Sequence, residues 1–149
     1  MNDTPKTGMS LIVKTITRLT VGLILLYGIY IVLHGHLSPG GGFAGGVIIA
    51  LSFVHLMLAF GKDAVTERIS KQTASKLESV GALLFLSIAL IGFFGGYFFL
   101  NILKKGEPFK LFSAGTIPLS NIAISLKVGI GLLAIFLALV ILEEVKREK

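Results

Sequence analysis

The chain has 149 residues, of which 54% are hydrophobic and only 15% are charged, and its mean hydropathy is +0.88. A soluble domain carries about 25% charged residues, and a fold of this length has too little interior to hide so much apolar surface. The composition therefore excludes a soluble protein and predicts an integral membrane protein. The net charge of +6 does not indicate nucleic-acid binding, because the basic residues lie between the apolar runs rather than in one patch.

Cysteine is absent, which excludes disulfides, iron–sulfur ligation and Cys-based zinc sites in this chain. Three histidines remain as potential metal ligands: His34, His36 and His55. His34 and His36 flank a glycine, but the sequence offers no third ligand beside them. We therefore expect no metal and no cofactor, and we expect that the chain is not an enzyme by itself.

Four apolar runs are long enough to cross a membrane, for which a helix needs about 20 residues. They are Leu11–Leu33, Phe43–Phe60, Val80–Leu100 and Ile122–Leu142. The sequence thus predicts an all-α fold, with residues 1–149 forming a single four-helix transmembrane domain in the cell membrane. The segment 101–121 between the last two runs is rich in turn residues and is expected to form a cap on the membrane surface.

Lysine and arginine are distributed unequally over the flanks of these runs. Three lie on one side, Lys104, Lys105 and Lys110; ten lie on the other, Lys6, Lys14, Arg18, Lys62, Arg68, Lys71, Lys76, Lys146, Arg147 and Lys149. Because cytoplasmic flanks carry the excess of basic residues, this bias predicts that both termini are cytoplasmic.

The acidic residues all lie outside the predicted spans or at their edges. Carriers that exchange sodium for protons generally need a buried carboxylate, because it binds either cation in turn. If this chain takes part in cation transport, we therefore expect the main exchange site on another subunit.

Lys127 is the one charge well inside a predicted span, about 9 Å from the end of that span. It either faces a water-filled path or a partner carboxylate, or it extends outward to the lipid headgroups. Small residues share its helical face, which favours close helix contact and the first interpretation. They are Ala123, Gly131, Ala134 and Ala138.

The three histidines are further candidates for an ion path. His55 lies in the second span and could relay protons, but we favour a neutral histidine hydrogen-bonded across a helix interface. For His34 and His36, at the outer end of the first span, we favour a solvated or loop-fixing role over proton entry.

A glycine-rich run lies between the first two predicted spans. Pro39 and the glycines after it should break any helix, and Gly41/Gly45 and Gly42/Gly46 have the spacing of close helix contacts. The run forms either a broken entrance to an ion path or a tight turn packed under a neighbouring helix. The residues expected to shape the turn and the helix packing are Pro39, Gly40, Gly41, Gly42, Gly45 and Gly46, with Gly92 and Gly96 as a further contact on the third span.

The sequence of residues 35–46, GHLSPGGGFAGG, strongly resembles the signature of the MnhB/MrpB family, which supplies one subunit of the multi-subunit sodium/proton antiporters. Residues 117–129 are similar to the start of the last helix in part of that family. Many bacterial members carry an aspartate motif there. This chain has Lys127 instead, as in archaeal relatives, some of which belong to membrane-bound hydrogenases driven by ferredoxin.

The resemblance implies an accessory subunit of a cation-translocating complex, lining or bracing the ion path. Its partners would be the bilayer, sodium ions, protons and other membrane subunits, including large antiporter subunits that hold the proton-path Lys and Glu residues. A hydrogenase-type respiratory complex is the first choice of parent assembly, and a stand-alone antiporter is the alternative. A pure assembly scaffold and a free-standing exporter or channel are the other hypotheses.

Overall fold

The computed structural model describes residues 9–107, 109–110 and 113–147, the last residue by its backbone alone. These residues form helices and turns and no strand. The helices are α1 (Leu11–Leu33), α2 (Gly41–Phe60), the short α3 (Asp63–Thr66), α4 (Lys71–Ile91) and α5 (Ile117–Arg147). Within the described part, α1, α2, α4 and α5 with their flanks are long and apolar enough to cross a membrane, which confirms the predicted all-α, four-span class.

The four long helices pack as an open row. In this row α2 lies between α1 and α5, and α5 lies between α2 and α4, so that α1 and α4 form the two edges. The fully buried apolar cluster is small and joins α2, α3 and α5 through Met57, Val65, Leu133 and Leu137. An open row leaves two broad apolar faces for lipid or for other membrane helices.

The two ends of the helix bundle, at opposite ends of the helix axes, differ in character. At the turn side, residues 34–40 connect α1 to α2. At the opposite end, the backbone N–H of Met9 donates to the carbonyl of Ala59 at 3.1 Å, and Lys62 forms an ion pair with Glu144. We call this end the basic side, because Lys14, Arg18 and Lys62 cluster there.

The third span differs from the prediction. Hydropathy predicts it over Val80–Leu100, but α4 begins at Lys71 and ends at Ile91, followed by a 3-10 turn over Gly92–Gly95. The side chain of Ser70 caps the helix start by accepting from the backbone N–H of Thr73 at 3.1 Å. Hydropathy places the span too late, because an apolar turn and an apolar helix have the same hydropathy.

Within the described residues, Gly92 and Gly96 do not form the expected close helix contact. A Cβ on Gly92 would lie 2.5 Å from the backbone nitrogen of Leu100, an atom of the turn that follows α4, not of another helix. Gly96 has φ +110° and no atom within 4 Å of such a Cβ. The chain folds back here, with the N–H of Phe99 donating to the carbonyl of Ala89 at 3.2 Å.

Helix α5 contains the predicted span Ile122–Leu142 and extends beyond it at both ends, to 31 residues. That length is about 46 Å, against about 30 Å of bilayer hydrocarbon, so the helix tilts or protrudes. Asn101 fixes the approach to it: its side chain donates to the carbonyl of Ala114 and accepts from the N–H of Thr116, both at 3.2 Å. Residues 108, 111 and 112 of the predicted surface cap lie outside the described residues.

The orientation of the helices in the membrane can be tested with single cysteines, because the chain has none of its own. Leu37 is exposed in the turn and Gln72 is exposed at the start of α4, at opposite ends of the row. With the basic side in the cytoplasm, we expect an impermeant thiol reagent to label Leu37→Cys from outside intact cells and to leave Gln72→Cys unlabelled. The reverse pattern would invert the proposed orientation.

Candidate functional site

An ion pair joins the two last long helices inside the membrane-spanning region. The ammonium of Lys127 on α5 lies 2.5 Å from a carboxylate oxygen of Glu78 on α4. Glu78 is about 10 Å along α4 from Lys71 and lies inside the candidate span Lys71–Gly95. The expectation that no carboxylate lies inside a span is thus wrong, because α4 begins earlier than hydropathy indicates.

Small residues line the interface between α4 and α5 around this pair. A Cβ on Gly81 would lie 2.9 Å from the backbone nitrogen of Lys127 and 3.1 Å from the carbonyl of Ala123, so the two backbones approach closely there. A Cβ on Gly131 would contact the Glu78 carboxylate at 3.7 Å. The small-residue face predicted around Lys127 therefore lies against α4.

The electrostatics favour pairing at this depth. A single charge at the centre of a span costs at least about 2.5–3.5 kcal/mol, and a neighbouring opposite charge offsets part of that cost. The side chains of Lys127 and Glu78 remain 48% and 35% exposed in the isolated chain. Within a span that exposed surface faces lipid or another subunit, so the pair is accessible to a partner.

A cavity of about 480 Å³ extends from Glu78 toward the basic side, between the first turns of α4 and the second half of α5. Its α5 wall is apolar and includes Ala134 and Ala138, whereas α4 contributes the polar side chains Lys71, Ser75 and Glu78. The carboxylate thus lies at the inner end of a space that reaches the edge of the span.

The structure places the three histidines away from this pair. His55 Nε2 and Thr20 Oγ1 form a hydrogen bond of 3.2 Å. The bond links α1 to α2. His34 Nδ1 donates to the carbonyl of Tyr30, and its ring stacks on the Tyr30 ring.

His36 lies in the turn and binds the loop before α5. Its Nε2 donates to the carbonyl of Lys110 at 3.0 Å, while its Nδ1 is buried and has no hydrogen-bond partner within the described residues. No contact within the described residues joins a histidine to Lys127, and no group of three or more metal-ligating side chains occurs among them.

The glycine-rich turn packs directly on the start of α5. Gly40 and Gly41 have φ values of +102° and +47°, which other residues rarely adopt. A Cβ on Gly42 would lie 2.3 Å from the carbonyl oxygen of Asn121, and a Cβ on Gly46 would lie 2.9 Å from that of Ser125. The turn and the first turns of α2 therefore contact α5 backbone to backbone.

Asn121 is the side chain that holds this contact. It is 8% exposed, and its Oδ1 accepts from the N–H of Gly42 at 3.2 Å, while its Nδ2 is buried without a hydrogen-bond partner in the described chain. On the other side of α2, a Cβ on Gly45 would lie 3.0 Å from the carbonyl of Gly28. Glycines thus allow both neighbouring helices, α1 and α5, to pack close to α2. Pro39 is exposed in the turn that precedes it.

Sequence reasoning missed three residues of this site: Glu78, Gly81 and Asn121. A signal for Glu78 was present in Ser70, a preferred helix-capping residue that marks a start for α4 before Glu78. Nothing in the sequence alone aligns Gly81 with Lys127, because that alignment is a property of how two distant helices pack.

The structure has the form of a small polytopic membrane protein: an open row of four spans, with a glycine turn packed on the last helix and a Lys–Glu pair between the last two. Residues 12–134 match the model of the family described as "Domain related to MnhB subunit of Na+/H+ antiporter". The chain belongs to this MnhB-related family.

Individual relatives agree with this membership. The chain is 39% identical over 117 residues to an uncharacterized protein of Methanocaldococcus jannaschii, covering 74% of this chain and 44% of that one. It is 36% identical over 89 residues to a protein of Staphylococcus haemolyticus named antiporter subunit mnhB2, covering 60% of this chain and 62% of the relative.

A solved structure is also similar. It is described as the membrane-bound sulfane sulfur reductase, an archaeal respiratory membrane complex. One chain of it has 35% sequence identity and a TM-score of 0.76, over 89% of this chain and 59% of that one. The chain therefore spans between two fifths and two thirds of the length of these relatives.

Proposed function

We propose that this chain is an accessory membrane subunit of a multi-subunit cation-translocating complex of the sodium/proton antiport type, in the cell membrane. Membership of the MnhB-related family supports the class. The observation that carries a part in the ion path is the Glu78–Lys127 pair, since intramembrane charges are costly and typically mark ion or proton pathways.

The pair can respond to a cation by exchange of partners. When a proton or a sodium ion binds the Glu78 carboxylate, the carboxylate no longer needs the ammonium of Lys127, which then turns to another acceptor or to water. The cavity at Glu78 offers space for that rearrangement. In this proposal the subunit lines the path, while the main exchange site stays on a large partner subunit.

For the parent assembly we propose an archaeal respiratory complex of the ferredoxin-driven, membrane-bound hydrogenase type. Support comes from Lys127 in place of the bacterial aspartate motif and from the similarity to a chain of an archaeal respiratory membrane complex. Purification of the native complex through this chain, with mass spectrometry of its partners, tests the assignment. Nickel–iron hydrogenase subunits would support it, and antiporter subunits alone would indicate a stand-alone exchanger.

The purified chain, reconstituted alone in liposomes, should show no sodium-dependent proton flux. Glu78 is paired with Lys127, and the four long helices form an open row that does not close around a pore within the described residues. A pH-sensitive dye inside the liposomes measures the flux, with the purified parent complex as the positive control. Robust exchange by the chain alone would favour a free-standing transporter.

A scaffold without a part in transport is the second candidate, and the backbone contacts of Gly42 and Gly46 favour it. In that case the Glu78–Lys127 pair only fixes α4 against α5. The two functions predict different effects on transport when both charges are removed together.

A further inference from the structure

A second polar pocket lies on the basic side, where α1, α2 and α3 converge. Its volume is about 330 Å³. Arg18 of α1 and Arg68 of the turn after α3 line it, together with Glu67 and the apolar side chains Leu56, Phe60 and Ala64. Neither the ion pair nor the glycine turn uses this pocket.

The aromatic ring of Phe60, at the end of α2, positions the cations on one wall. The guanidinium carbon of Arg18 lies 5.3 Å from the centre of that ring, and the ammonium of Lys14 lies 5.8 Å from it. Both distances are within the range of cation–π attraction. The ring thus lies against two cations of α1, one of which, Arg18, lines the pocket together with Arg68.

The charge in the pocket is not balanced by the protein. Arg18 and Arg68 face a single acid, Glu67, and within the described residues no carboxylate lies within ion-pair distance of either arginine. Arg18 is about 10 Å along an apolar helix from its first residue. A cation at that depth is stabilised by a partner anion, and the pocket has room for one.

The chemistry of the lining selects the anion. Guanidinium groups bind phosphate oxygens in pairs of parallel hydrogen bonds, and the apolar half of the pocket suits the glycerol and first chain carbons beside a phosphate. Basic pockets between membrane helices are typical sites for acidic lipid headgroups. We propose that this pocket binds the phosphodiester headgroup of an anionic phospholipid from the leaflet at the basic side.

The test uses the purified parent complex, exchanged into vesicles that contain phosphatidylglycerol and phosphatidylcholine in equal amounts and then repurified in detergent. Lipids that remain bound are quantified by mass spectrometry. We expect phosphatidylglycerol to be retained in preference, and Arg18→Gln and Arg68→Gln each to lower that retention about tenfold, the effect of losing one charge-assisted contact. Arg18→Lys keeps the charge but loses the paired donors of the planar guanidinium group. A complex with this variant should therefore retain an intermediate amount of phosphatidylglycerol.

Lys76→Gln is the matched control, because Lys76 is an exposed basic residue of α4 that does not line the pocket. It should leave retention unchanged. Equal retention of the two lipids by the unaltered complex, or an equal loss in Lys76→Gln, would overturn the proposal. Displacement of the lipid by inorganic phosphate would also overturn it, because the site would then serve a soluble anion. If Arg18→Gln fails to assemble, the proposal is decided by two other measurements: the lipid preference of the unaltered complex and the lipid retention of Arg68→Gln. Arg68 lies outside the long helices, so its replacement should not disturb their packing.

Discussion

Replacement of Gly42 by leucine is expected to detach α5 from α2 and to remove the subunit from its complex. The new Cβ would lie 2.3 Å from the carbonyl oxygen of Asn121 and 2.8 Å from its Cα, and a helix backbone cannot move aside as a flexible side chain can. Overpacking typically costs about 1–3 kcal/mol, whereas single membrane-helix contacts contribute only about 0.6–2 kcal/mol. Co-purification of partner subunits with the variant measures the loss.

Gly22→Leu is the control for this experiment. It makes the same change in α1, where a Cβ would have no atom within 4 Å. We expect this variant to assemble as the unaltered chain does. If Gly42→Leu assembled equally well, the close contact between the glycine turn and α5 would not be a requirement of the assembly.

Much of the fold follows from hydropathy because lipid imposes simple conditions on the backbone. A span must satisfy its own hydrogen bonds, so a long apolar run becomes a helix, and the predicted bounds of Leu11–Leu33 are those that the structure shows. The third span shows the limit of this argument. Residues 92–100 are as apolar as a helix, but the glycines at 92, 95 and 96 let the chain fold back on itself.

The candidate site was predictable in part. The glycine run is local, so its spacing indicates a close contact, although the partner residue Asn121 lies 79 positions away from Gly42. Lys127 is conspicuous because an isolated charge in an apolar run is costly. The identity of its partner depends on how α4 aligns with α5. That alignment is set by the packing of Gly81 against Ala123, and no local sequence pattern encodes it.

Lys127→Met should leave the subunit in the complex but lower cation transport by about ten- to a hundredfold, the effect of losing one charged partner. Methionine keeps about the length of the side chain and removes its charge, so α4 and α5 can still pack at Gly81. Glu78→Gln should have a similar effect on transport. Proton and sodium flux in vesicles that contain the complex measures both variants, and co-purified partners are counted in parallel.

The double variant Glu78→Gln with Lys127→Met distinguishes an ion path from a structural pair. It removes both charges and leaves no uncompensated group, so a pair that only joins α4 to α5 could be replaced with little loss of function. A group that binds and releases cations cannot be replaced in this way. We therefore expect the double variant to assemble like the unaltered subunit and to transport as poorly as either single variant.

Lys62→Met with Glu144→Gln is the matched control, because this pair also joins α5 to a distant segment but lies at the basic side rather than within the span. It should change neither assembly nor flux by more than about twofold, since ion pairs at a surface contribute about 0–1 kcal/mol. Normal transport by the Glu78/Lys127 double variant would support the scaffold function. Loss of assembly in Lys127→Met, with recovery in the double variant, would identify the pair as a structural connection between the two helices.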